Sequence, residues 1–552
     1  MKRLLIDTEI EYILNFLKPN KSIPIESALS IVNNLKASLI KQLKTIEIYP
    51  KLIDTLKEQI EKNYRESLIS PGESVGVISA QSIGERNTQN SCEFEAEILV
   101  KKNNKIIKTT VGDLIENEMK KGCVIKFQGD NYIKEVSNIE VLTISQEEKI
   151  EWKNVTELSK HPTNGDLVKI KTESGRQVVT TLSHSHLKKF EDSIIPILGS
   201  ELKIGDRLPV IKRSPNSNNL EFIYISDYIE HDKIENDYIY INKTKIKNKI
   251  YLDKNFGWFL GVYLSNGYCT EYSISIMNIT PEFEDNIKKF CSIYELKYKK
   301  TTHDINCIIL CKLIKKLCNT ESINKKLPDF IYQTKKDFIS NIIKGYMDDN
   351  QNIFTCKNKK IIKYSIYKNL LEEFRVLFTY FGIFTTIDIC QTLYQLTIYG
   401  KDNIIKYRDK IGTDLLYKKD ILDNLIINTK DNLEKIPYHI GRHITIISSI
   451  LNLKGYSNLK DDIERNTLGR FIKIFKDEAK LKNINIEKNL KYCELSYNSD
   501  VVWDKIIDIE IIKEKDYKYK YVYDFSVKGN ETFALFSGIV IHNTLNTLNN
   551  IG

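Results

Sequence analysis

Hydrophobic and polar residues follow different patterns in successive parts of this chain. Residues 1–70 carry apolar side chains at three- and four-residue spacing, as in IESALSIVNNLKASLIKQL, which predicts helices. From 93 to 210 the chain has short alternating runs between turn residues, as in IEVLTIS and LVKIKT, which predict strands. Helical spacing dominates from 255 to 479, and strand-like runs return from Val501. The pattern predicts an all-β unit that is split by a helical unit and inserted in another helical protein.

Composition narrows the class of protein. A chain of 552 residues is too long for one core, and 41% apolar with 28% charged residues indicates globular domains rather than disorder. The net charge of +9 is compatible with a nucleic-acid partner. The sequence has no apolar run of the ~18 residues that a membrane span needs. Acidic residues interrupt the first apolar stretch, so we expect no secretory signal.

The ten cysteines do not form a metal or disulfide framework. They include no CxxC pair, which argues against a zinc ribbon. Cys307, Cys311 and Cys318 fall roughly on one face of a predicted helix. We expect reduced, buried thiols in an intracellular protein.

The last strand-like segment ends in a reactive triplet. His542, Asn543 and Thr544 bring an imidazole, a carboxamide and a hydroxyl together on consecutive residues. The Asn543 amide can attack its own carbonyl carbon, form a succinimide and break the next peptide bond. His542 can assist this cleavage, and Thr544 supplies a β-hydroxyl nucleophile. Such a triplet also arises by chance, so on its own it indicates little.

Further polar residues stand where the pattern changes. Ser91 and Cys92 lie where the helical pattern gives way to strands. Thr181 and His184 follow a Gly-Arg turn, and a Thr-x-x-His arrangement can bring a hydroxyl and an imidazole to one peptide bond. Asp524 lies in VYDFSV, close to the reactive triplet in sequence. Candidate chemistry therefore stands at both ends of the predicted all-β unit.

Residues 91–543 resemble an intein, a self-splicing element with a Hedgehog/intein-type all-β fold. SCEFEAEIL is similar to the family's first block, SGRQVVTTLSHSHL to the second, and VYDFSV with FALFSGIVIHN to the two closing blocks. The resemblance implies autocatalytic splicing in cis by a monomer, without a cofactor. The residues that match catalytic positions are Ser91, Thr181, His184, Asp524, His542, Asn543 and Thr544.

The chain departs from the family pattern in two ways. Most inteins begin with cysteine, whereas here Ser91 occupies that position and Cys92 is adjacent. We choose Ser91 because only that register gives the family's spacing to the Glu97-Ile98-Leu99 run. The family also often has a histidine seven residues after the aspartate, where this chain has Glu531. The assisting role of that histidine is therefore absent or taken by another group.

The insert carries a second pair of motifs. FLGVYLSNGY at 259–268 and IKGYMDDNQN at 343–352 resemble the two motifs of LAGLIDADG (dodecapeptide) homing endonucleases. The resemblance implies an α+β domain in which two helices pack closely at Gly261 and Gly345. Each helix would end in a carboxylate that holds divalent metal beside DNA.

The acidic positions of these two motifs are changed. In this register, Asn266 and Asn350 stand where the family has its metal-binding acids. A carboxamide lacks the negative charge that Mg²⁺ and an activated water need. Asp348 and Asp349 are nearby but fall out of register. We therefore expect a folded domain that binds DNA without cleaving it, with Mg²⁺ involved only if the nuclease is active.

The residues on either side of the intein-like segment also resemble a known protein family. Joining residue 90 to residue 544 gives SPGESVGVISAQSIGERNTQN followed by TLNTLNNIG. This resembles the largest subunit of multisubunit DNA-directed RNA polymerases, just before and into the trigger loop. The resemblance implies that other polymerase subunits are partners. The Asp-rich metal loop of the polymerase is missing, so we expect a subunit fragment that is not active alone.

The resulting hypothesis is a self-splicing precursor that joins Asn90 to Thr544. We expect it inside the cell with the transcription machinery, in the cytoplasm, the nucleus or a viral factory. One alternative is an active site-specific homing endonuclease, and another is a DNA-binding subunit fragment that does not splice. The predicted segments are a host segment at 1–90, splicing-domain halves at 91–215 and 495–543, an endonuclease-like domain at 240–490 and a second host segment at 544–552.

Overall fold

The structure is a computed structural model of the chain. Asn90, Asp349, Asn350, Thr544 and the host-like segment 67–90 lie outside the residues it describes. The chain divides into two compact units, residues 1–87 and 88–552. The described residues are 3–18, 25–44, 47–66, 91–122, 124–127, 130–190, 193–216, 219–319, 325–348, 353–355, 359–429, 434–437, 439–456 and 462–543.

The first unit consists mainly of amphipathic helices. Its apolar core includes Ile10, Ile13 and Leu17, and the short strands at its edge pair antiparallel. The Glu9 carboxylate accepts a hydrogen bond from the Ile6 N–H at 3.1 Å, which satisfies a free donor where the first helix begins. The elements are β1 (Arg3–Leu4), α1 (Asp7–Ile13), α2 (Ile25–Leu43), β2 (Glu47–Ile48) and α3 (Ile53–Glu66).

The second unit begins with strands, as the alternating pattern predicted. The helix among them starts at Thr110, whose side chain accepts a hydrogen bond from the Asp113 N–H. The elements are β3 (Glu97–Lys102), β4 (Lys105–Thr110), α4 (Val111–Met119), β5 (Ile125–Phe127), β6 (Asn131–Glu135), β7 (Ile139–Ile144), β8 (Ile150–Pro162), β9 (Leu167–Thr172), β10 (Gln177–Thr181), β11 (Ser185–Phe190), β12 (Ser193–Leu198) and β13 (Arg207–Ile211).

The insert that follows mixes helices with short strands. Its first part is β14 (Phe222–Tyr224), β15 (Lys233–Glu235), β16 (Tyr238–Ile241), β17 (Thr244–Lys247), β18 (Lys249–Tyr251), α5 (Lys254–Asn266), β19 (Gly267–Cys269), β20 (Ser273–Ile276), α6 (Pro281–Ile293), β21 (Lys297–Lys299), β22 (Asp304–Asn306) and α7 (Ile308–Cys318). Its second part is α8 (Lys336–Met347), β23 (Ile353–Thr355), β24 (Lys360–Ser365), α9 (Lys368–Thr379), β25 (Thr385–Cys390), β26 (Leu393–Tyr399), α10 (Lys401–Lys410) and α11 (Leu416–Asn428).

The insert contains a structural repeat. The order helix, two strands, helix, two strands, helix runs from α5 to α7 and again from α8 to α10. The sheets of the two halves also share one strand order, β19-β20-β22-β21 and β23-β24-β26-β25. Helical spacing dominated the sequence pattern here, and the sequence did not indicate these strands.

The chain returns to strands after a group of helices with its own apolar core. The core of these helices includes Ile444, Phe475 and Cys493. The elements are β27 (Lys435–Ile436), α12 (Ile440–Ile450), β28 (Ile463–Glu464), α13 (Arg465–Lys482), α14 (Glu487–Tyr497), β29 (Val501–Ile512), β30 (Tyr521–Val527), β31 (Thr532–Ala534) and β32 (Val540–His542).

The closing strands join the sheets of the opening strands. β29 pairs antiparallel with β13 and with β9, and β30 pairs with β8. β32 meets β11 where Ile541 lies opposite His186. Buried side chains from both sets of strands share one core, including Val100, Val210 and Phe533. The two ends of the insert-bearing unit are thus brought together by strand pairing.

The described cysteines are free thiols. The expectation of burial is confirmed for seven of these eight, including the predicted helix-face group. It is wrong for Cys390, which is exposed because it ends β25 at a turn. Cys123 and Cys356 lie outside the described residues. No helix in the described ranges is both long and apolar enough to cross a membrane.

Candidate splicing site

Ser91 lies between two strands that come from distant parts of the sequence. Its neighbour Cys92 forms antiparallel bridges to Thr180 and to Tyr523, so Ser91 lies in register between Thr181 and Asp524. The Ser91 N–H donates to Thr181 Oγ1 at 3.2 Å, and its carbonyl accepts from the Thr181 N–H at 2.9 Å. Ser91 Oγ is fully buried and has no hydrogen-bond partner among the described residues. This arrangement leaves the hydroxyl available for a reaction.

Cys92 points into the core instead. Its N–H donates to the Tyr523 carbonyl at 2.8 Å and its carbonyl accepts from the Tyr523 N–H at 3.0 Å. The side chain is fully buried in the apolar core of the strands. Burial, followed by the charges of Asp524 and Glu93, raises the pKa of the thiol well above its ordinary value. The Cys92 thiol is packed in the apolar core, whereas Ser91 lies between the strands of Thr181 and Asp524, so the geometry favours Ser91 over Cys92.

Two buried histidines lie beside this junction. The His184 N–H donates to the Thr181 carbonyl at 3.0 Å, and neither ring nitrogen of His184 is hydrogen-bonded within the described residues. The ring of His186 lies edge-on to it, with centroids 5.5 Å apart. Burial, then the charges of His186 and His542, lowers the pKa of His184 well below its usual value. His184 is therefore a neutral base at neutral pH.

His186 was not singled out by the sequence. Its Nε2 lies 3.1 Å from Thr180 Oγ1, and burial lowers its pKa to about 3. The only sequence signal was its place two residues after His184 in LSHSHL, so that His184 comes just before β11 and His186 lies near the start of that strand. Its edge-on contact fixes one side of the His184 ring.

The downstream junction lies on the strand next to these histidines. The Asn543 N–H donates to the Glu531 carbonyl at 2.9 Å, and Asn543 is buried. His542 Nε2 lies 3.9 Å from Glu531 Oε2. Burial lowers the pKa of His542, while the Glu531 charge and a hydrogen bond with the Asn543 backbone act in the opposite direction. Glu531 therefore contacts both residues of the junction, through its main chain and its carboxylate.

The described members of the predicted site are brought close together. Ser91 lies between Thr181 of β10 and Asp524 of β30, and the charge of His542 acts on His184. Asp524 is fully buried. Thr544 falls outside the described residues, so its predicted role stays a prediction.

The profile of the intein splicing domain family matches residues 98–543. The chain belongs to the inteins. It is similar to the DNA-directed RNA polymerase subunit Rpo1C of Methanocaldococcus jannaschii, with 34% identity over 520 residues that cover 89% of this chain and 59% of that protein. It is also similar to transcription initiation factor IIB of the same organism, with 24% identity, 82% of this chain and 50% of that protein.

Solved inteins are also similar to parts of the chain. The crystal structure of the transcription factor IIB Mja mini-intein is 28% identical, with a TM-score of 0.19, and the match covers 29% of this chain and 83% of that one. The chain spans between a half and two thirds of the length of the two curated relatives named above.

The intein's insert is organised around α5 and α8, which pack in close contact. A Cβ added to Gly261 would lie 2.1 Å from the Ile342 carbonyl oxygen, and one added to Gly345 would lie 2.2 Å from the Trp258 carbonyl oxygen. Both distances are far below van der Waals contact, so only glycine allows the two backbones to approach this closely. The close packing predicted for these two glycines is confirmed.

The ends of these two helices carry different groups. Asn266 ends α5 and is followed by a strand. Asp348 follows α8, is buried, and accepts hydrogen bonds from Thr413 Oγ1 and, at 2.9 Å, from the Asp414 N–H. Burial raises the pKa of Asp348 to about 6. Its carboxylate binds the loop before α11, which is a structural role.

Two lysines that the sequence did not indicate lie at the end of α5. Lys325 Nζ donates to the carbonyls of Tyr263 and Gly267 at 2.9 and 2.8 Å, and Lys363 Nζ donates to Ser265 Oγ at 2.6 Å. Burial lowers the pKa of Lys325 to about 8. Lysines satisfy the free carbonyls of a helix C-terminus, so positive charge gathers beside Asn266.

Proposed function

We propose that residues 91–543 excise themselves and join Asn90 to Thr544 without a cofactor. The observation that carries this proposal is the buried Ser91 hydroxyl, which stands in register between Thr181 and the strand of Asp524. A buried hydroxyl without a hydrogen-bond partner costs stability, and the described residues give Ser91 Oγ no partner, which fits a reactive role. The splicing-domain family of the chain supports the same reaction.

The first step is an acyl shift at the upstream junction. Ser91 Oγ attacks the carbonyl carbon of Asn90, the C–N bond to Ser91 breaks, and an ester forms. The hydroxyl loses a proton and the departing nitrogen gains one. His184 is neutral because burial lowers its pKa, so it takes the proton from Ser91 Oγ and delivers it to the nitrogen. Thr181 Oγ1 holds the N–H of the same peptide bond.

The second step moves the acyl group to the downstream residue. Thr544 Oγ attacks the ester carbon, and Ser91 Oγ leaves and recovers a proton. Asp524, buried on the strand beside Ser91, takes the proton of the attacking hydroxyl. The product is a branched chain in which residues 1–90 are esterified to Thr544.

The last steps release the intein. The side-chain nitrogen of Asn543 attacks its own carbonyl carbon, the bond to Thr544 breaks, and a succinimide remains. His542, which burial keeps neutral, takes the proton that the attacking nitrogen loses and delivers it to the leaving nitrogen. The freed amine of Thr544 then attacks the ester carbon, the bond to Thr544 Oγ breaks, and the proton that the amine loses returns to this oxygen as the Asn90–Thr544 amide forms. Proximity of the reacting groups drives the sequence.

Mass spectrometry of the freshly expressed chain tests this function. Splicing yields a 453-residue intein, residues 91 through 543, and a 99-residue product made of 1–90 and 544–552. Replacing Asn543 with Ala should instead leave an ester that hydroxylamine cleaves, which releases residues 1–90. Recovery of only the intact 552-residue chain, or normal ligation in the Asn543→Ala variant, would exclude the mechanism.

We also propose that the spliced product is part of the largest subunit of a DNA-directed RNA polymerase, close to its trigger loop. The similarity to Rpo1C and the motif SVGVISAQSIGERNTQN support this host. Other polymerase subunits are then the partners of the spliced product, which is not active alone. Co-purification of the spliced segment with these subunits, and its absence when splicing is blocked, is the expected result.

A second function concerns the insert. We propose that it is a LAGLIDADG-type domain that binds DNA and does not cleave it. The duplicated helix-strand unit and the glycine contact between α5 and α8 support this domain type. The carboxamide of Asn266 and the structural use of the Asp348 carboxylate argue against cleavage.

A further inference from the structure

The turn at residues 535–538 leads directly into β32 and the downstream junction. Its shape is fixed by a hydrogen bond from the Gly538 N–H to the Leu535 carbonyl at 2.8 Å and by the positive φ of Gly538, +90°. The Gly538 carbonyl accepts from the Ile211 N–H at 2.8 Å. Asn543 follows five residues after this turn, so the turn sets the position of Asn543 together with the pairing of β32 and the hydrogen bond to Glu531.

Phe536 at the tip of this turn is buried in the insert. Its side chain is 4% exposed and belongs to the apolar core formed by the insert's helices. The ring lies edge-on to Tyr332 of the insert, with centroids 6.1 Å apart. The Phe536 N–H donates to the Glu97 carbonyl at 2.8 Å. The turn is thus attached to β3 by its backbone and to the insert by its side chain.

Arg176 provides a second attachment. Its Nε donates to the Ser537 carbonyl at 2.9 Å, and its Nη1 donates to the Thr385 carbonyl of the insert at 3.1 Å. The guanidinium is fully buried and lies 4.5 Å from the ring centroid of Phe384, also in the insert. The planar guanidinium of Arg176 therefore links the turn at 535–538 to Thr385, the first residue of β25.

The insert also contacts the core and main chain of the splicing domain in the same region. Phe384 is buried in the splicing-domain core, although it belongs to the insert. The Ile387 N–H donates to the Ser174 carbonyl at 3.1 Å, and a Cβ on Gly175 would lie 1.8 Å from the Ile387 carbonyl oxygen. Two domains that exchange buried phenylalanines and main-chain hydrogen bonds cannot move independently here.

We propose that Arg176 and Phe536 are positioning residues through which the insert holds the downstream junction in its reactive geometry. The insert is then part of the splicing machinery at Asn543, and not a separable passenger. The hydrogen bonds of Ser91 run to Thr181 and do not pass through this turn, so the upstream step is less dependent on it. The inference rests on the splicing function proposed above.

The test separates the two junctions in the full-length chain. A Ser91→Ala parent allows only Asn543 cyclisation, which is measured as cleavage after residue 543. An Asn543→Ala parent allows only ester formation, which is measured as release of residues 1–90 by hydroxylamine. Arg176→Lys and Phe536→Leu are introduced into each parent. The matched control is Phe283→Leu, a buried insert phenylalanine that packs on Trp258 instead.

A small displacement of the reacting groups lowers the reaction rate strongly. We therefore expect Phe536→Leu to slow downstream cleavage roughly ten- to hundredfold. Arg176→Lys keeps one donor and should slow it less. Hydroxylamine release should change by less than about twofold, and Phe283→Leu should leave both rates near those of the parents. This pattern distinguishes positioning from general loss of structure.

Other patterns overturn the inference. The insert does not position the downstream junction if the parents react and Phe536→Leu slows the reactions at both junctions equally. The same conclusion follows if Phe536→Leu slows neither reaction. The same holds if Phe283→Leu is as damaging as Phe536→Leu. If the parents react at neither junction, the splicing function falls together with this inference.

Discussion

Replacing His186 with Gln should make the splicing domain less sensitive to acid. His186 is fully buried beside Thr180, and burial lowers its pKa to about 3. A histidine in an unfolded chain takes up a proton near pH 6.5. Between these two values the unfolded state binds more protons than the folded state. Stability that is present above the unfolded pKa is therefore lost as the pH falls from about 6.5 towards 3.

The size of the effect follows from the two pKa values. Between pH 7 and pH 5, His186 alone should lower the free energy of unfolding by about 2 kcal/mol, and by about 5 kcal/mol once the pH is below 3. Glutamine does not titrate, and its side-chain amide can still bond to Thr180 Oγ1. The variant should therefore lose about 2 kcal/mol less than the parent over the same pH range.

Urea unfolding at pH 7 and at pH 5 measures the difference, in a chain made inactive at both junctions. Trp152 and Trp503 report on the splicing domain by fluorescence once Trp258 of the insert is changed to Phe. The exposed His231→Gln serves as the control substitution. An equal loss of stability in the His186→Gln variant and its parent would refute the argument. So would an NMR titration in which His186 takes up its proton near pH 6.5.

The remaining predictions concern the reactions themselves. Ser91→Ala should stop splicing, whereas Cys92→Ala should still splice and lose about 1 kcal/mol of stability. If mass spectrometry shows that Cys92→Ala does not splice and Ser91→Ala does, the assignment of the nucleophile is reversed. Glu531→Gln removes a charge that raises the pKa of His542, so the acid limb of downstream cleavage should move to lower pH; a limb that stays fixed would contradict this. DNA carrying the host gene without the intein should be bound but not cut with Mg²⁺ or Mn²⁺; robust cutting would show that Asn266 is compensated by another ligand.

The sequence predicted the all-β splicing fold because short β-like runs alternate with turn residues, and the family match confirms that fold. It also indicated Ser91 and His184, because both stand in short blocks that resemble those of the family, and their catalytic roles stay predictions. The pairing of Cys92 with Tyr523 could not be predicted from the sequence, because the register between two strands separated by so long an insertion leaves no local sequence pattern. Thr544 and Asn350 lie outside the described residues, so the roles expected for them stay predictions.

Buried polar and aromatic groups account for most of what the sequence did not indicate. Arg176 follows a turn glycine in the sequence, yet it is fully buried between the splicing domain and the insert. Phe536 stands in one of the closing blocks, yet it belongs to the core of the insert. His186 was not singled out by the sequence. Each depends on a neighbour from a distant segment, and sequence spacing does not reveal such neighbours.

The pairing of Cys92 with Tyr523 has a consequence for protein synthesis. The strand that borders Ser91 on one side is made about 430 residues after Ser91 itself, which takes a ribosome roughly 20–90 s. Until that strand emerges, the upstream junction lacks half of its surroundings, including the Asp524 carboxylate. If the chain splices as proposed, it is therefore protected from premature scission, because the first bond to react becomes reactive only after almost all of residues 91–543 have been translated.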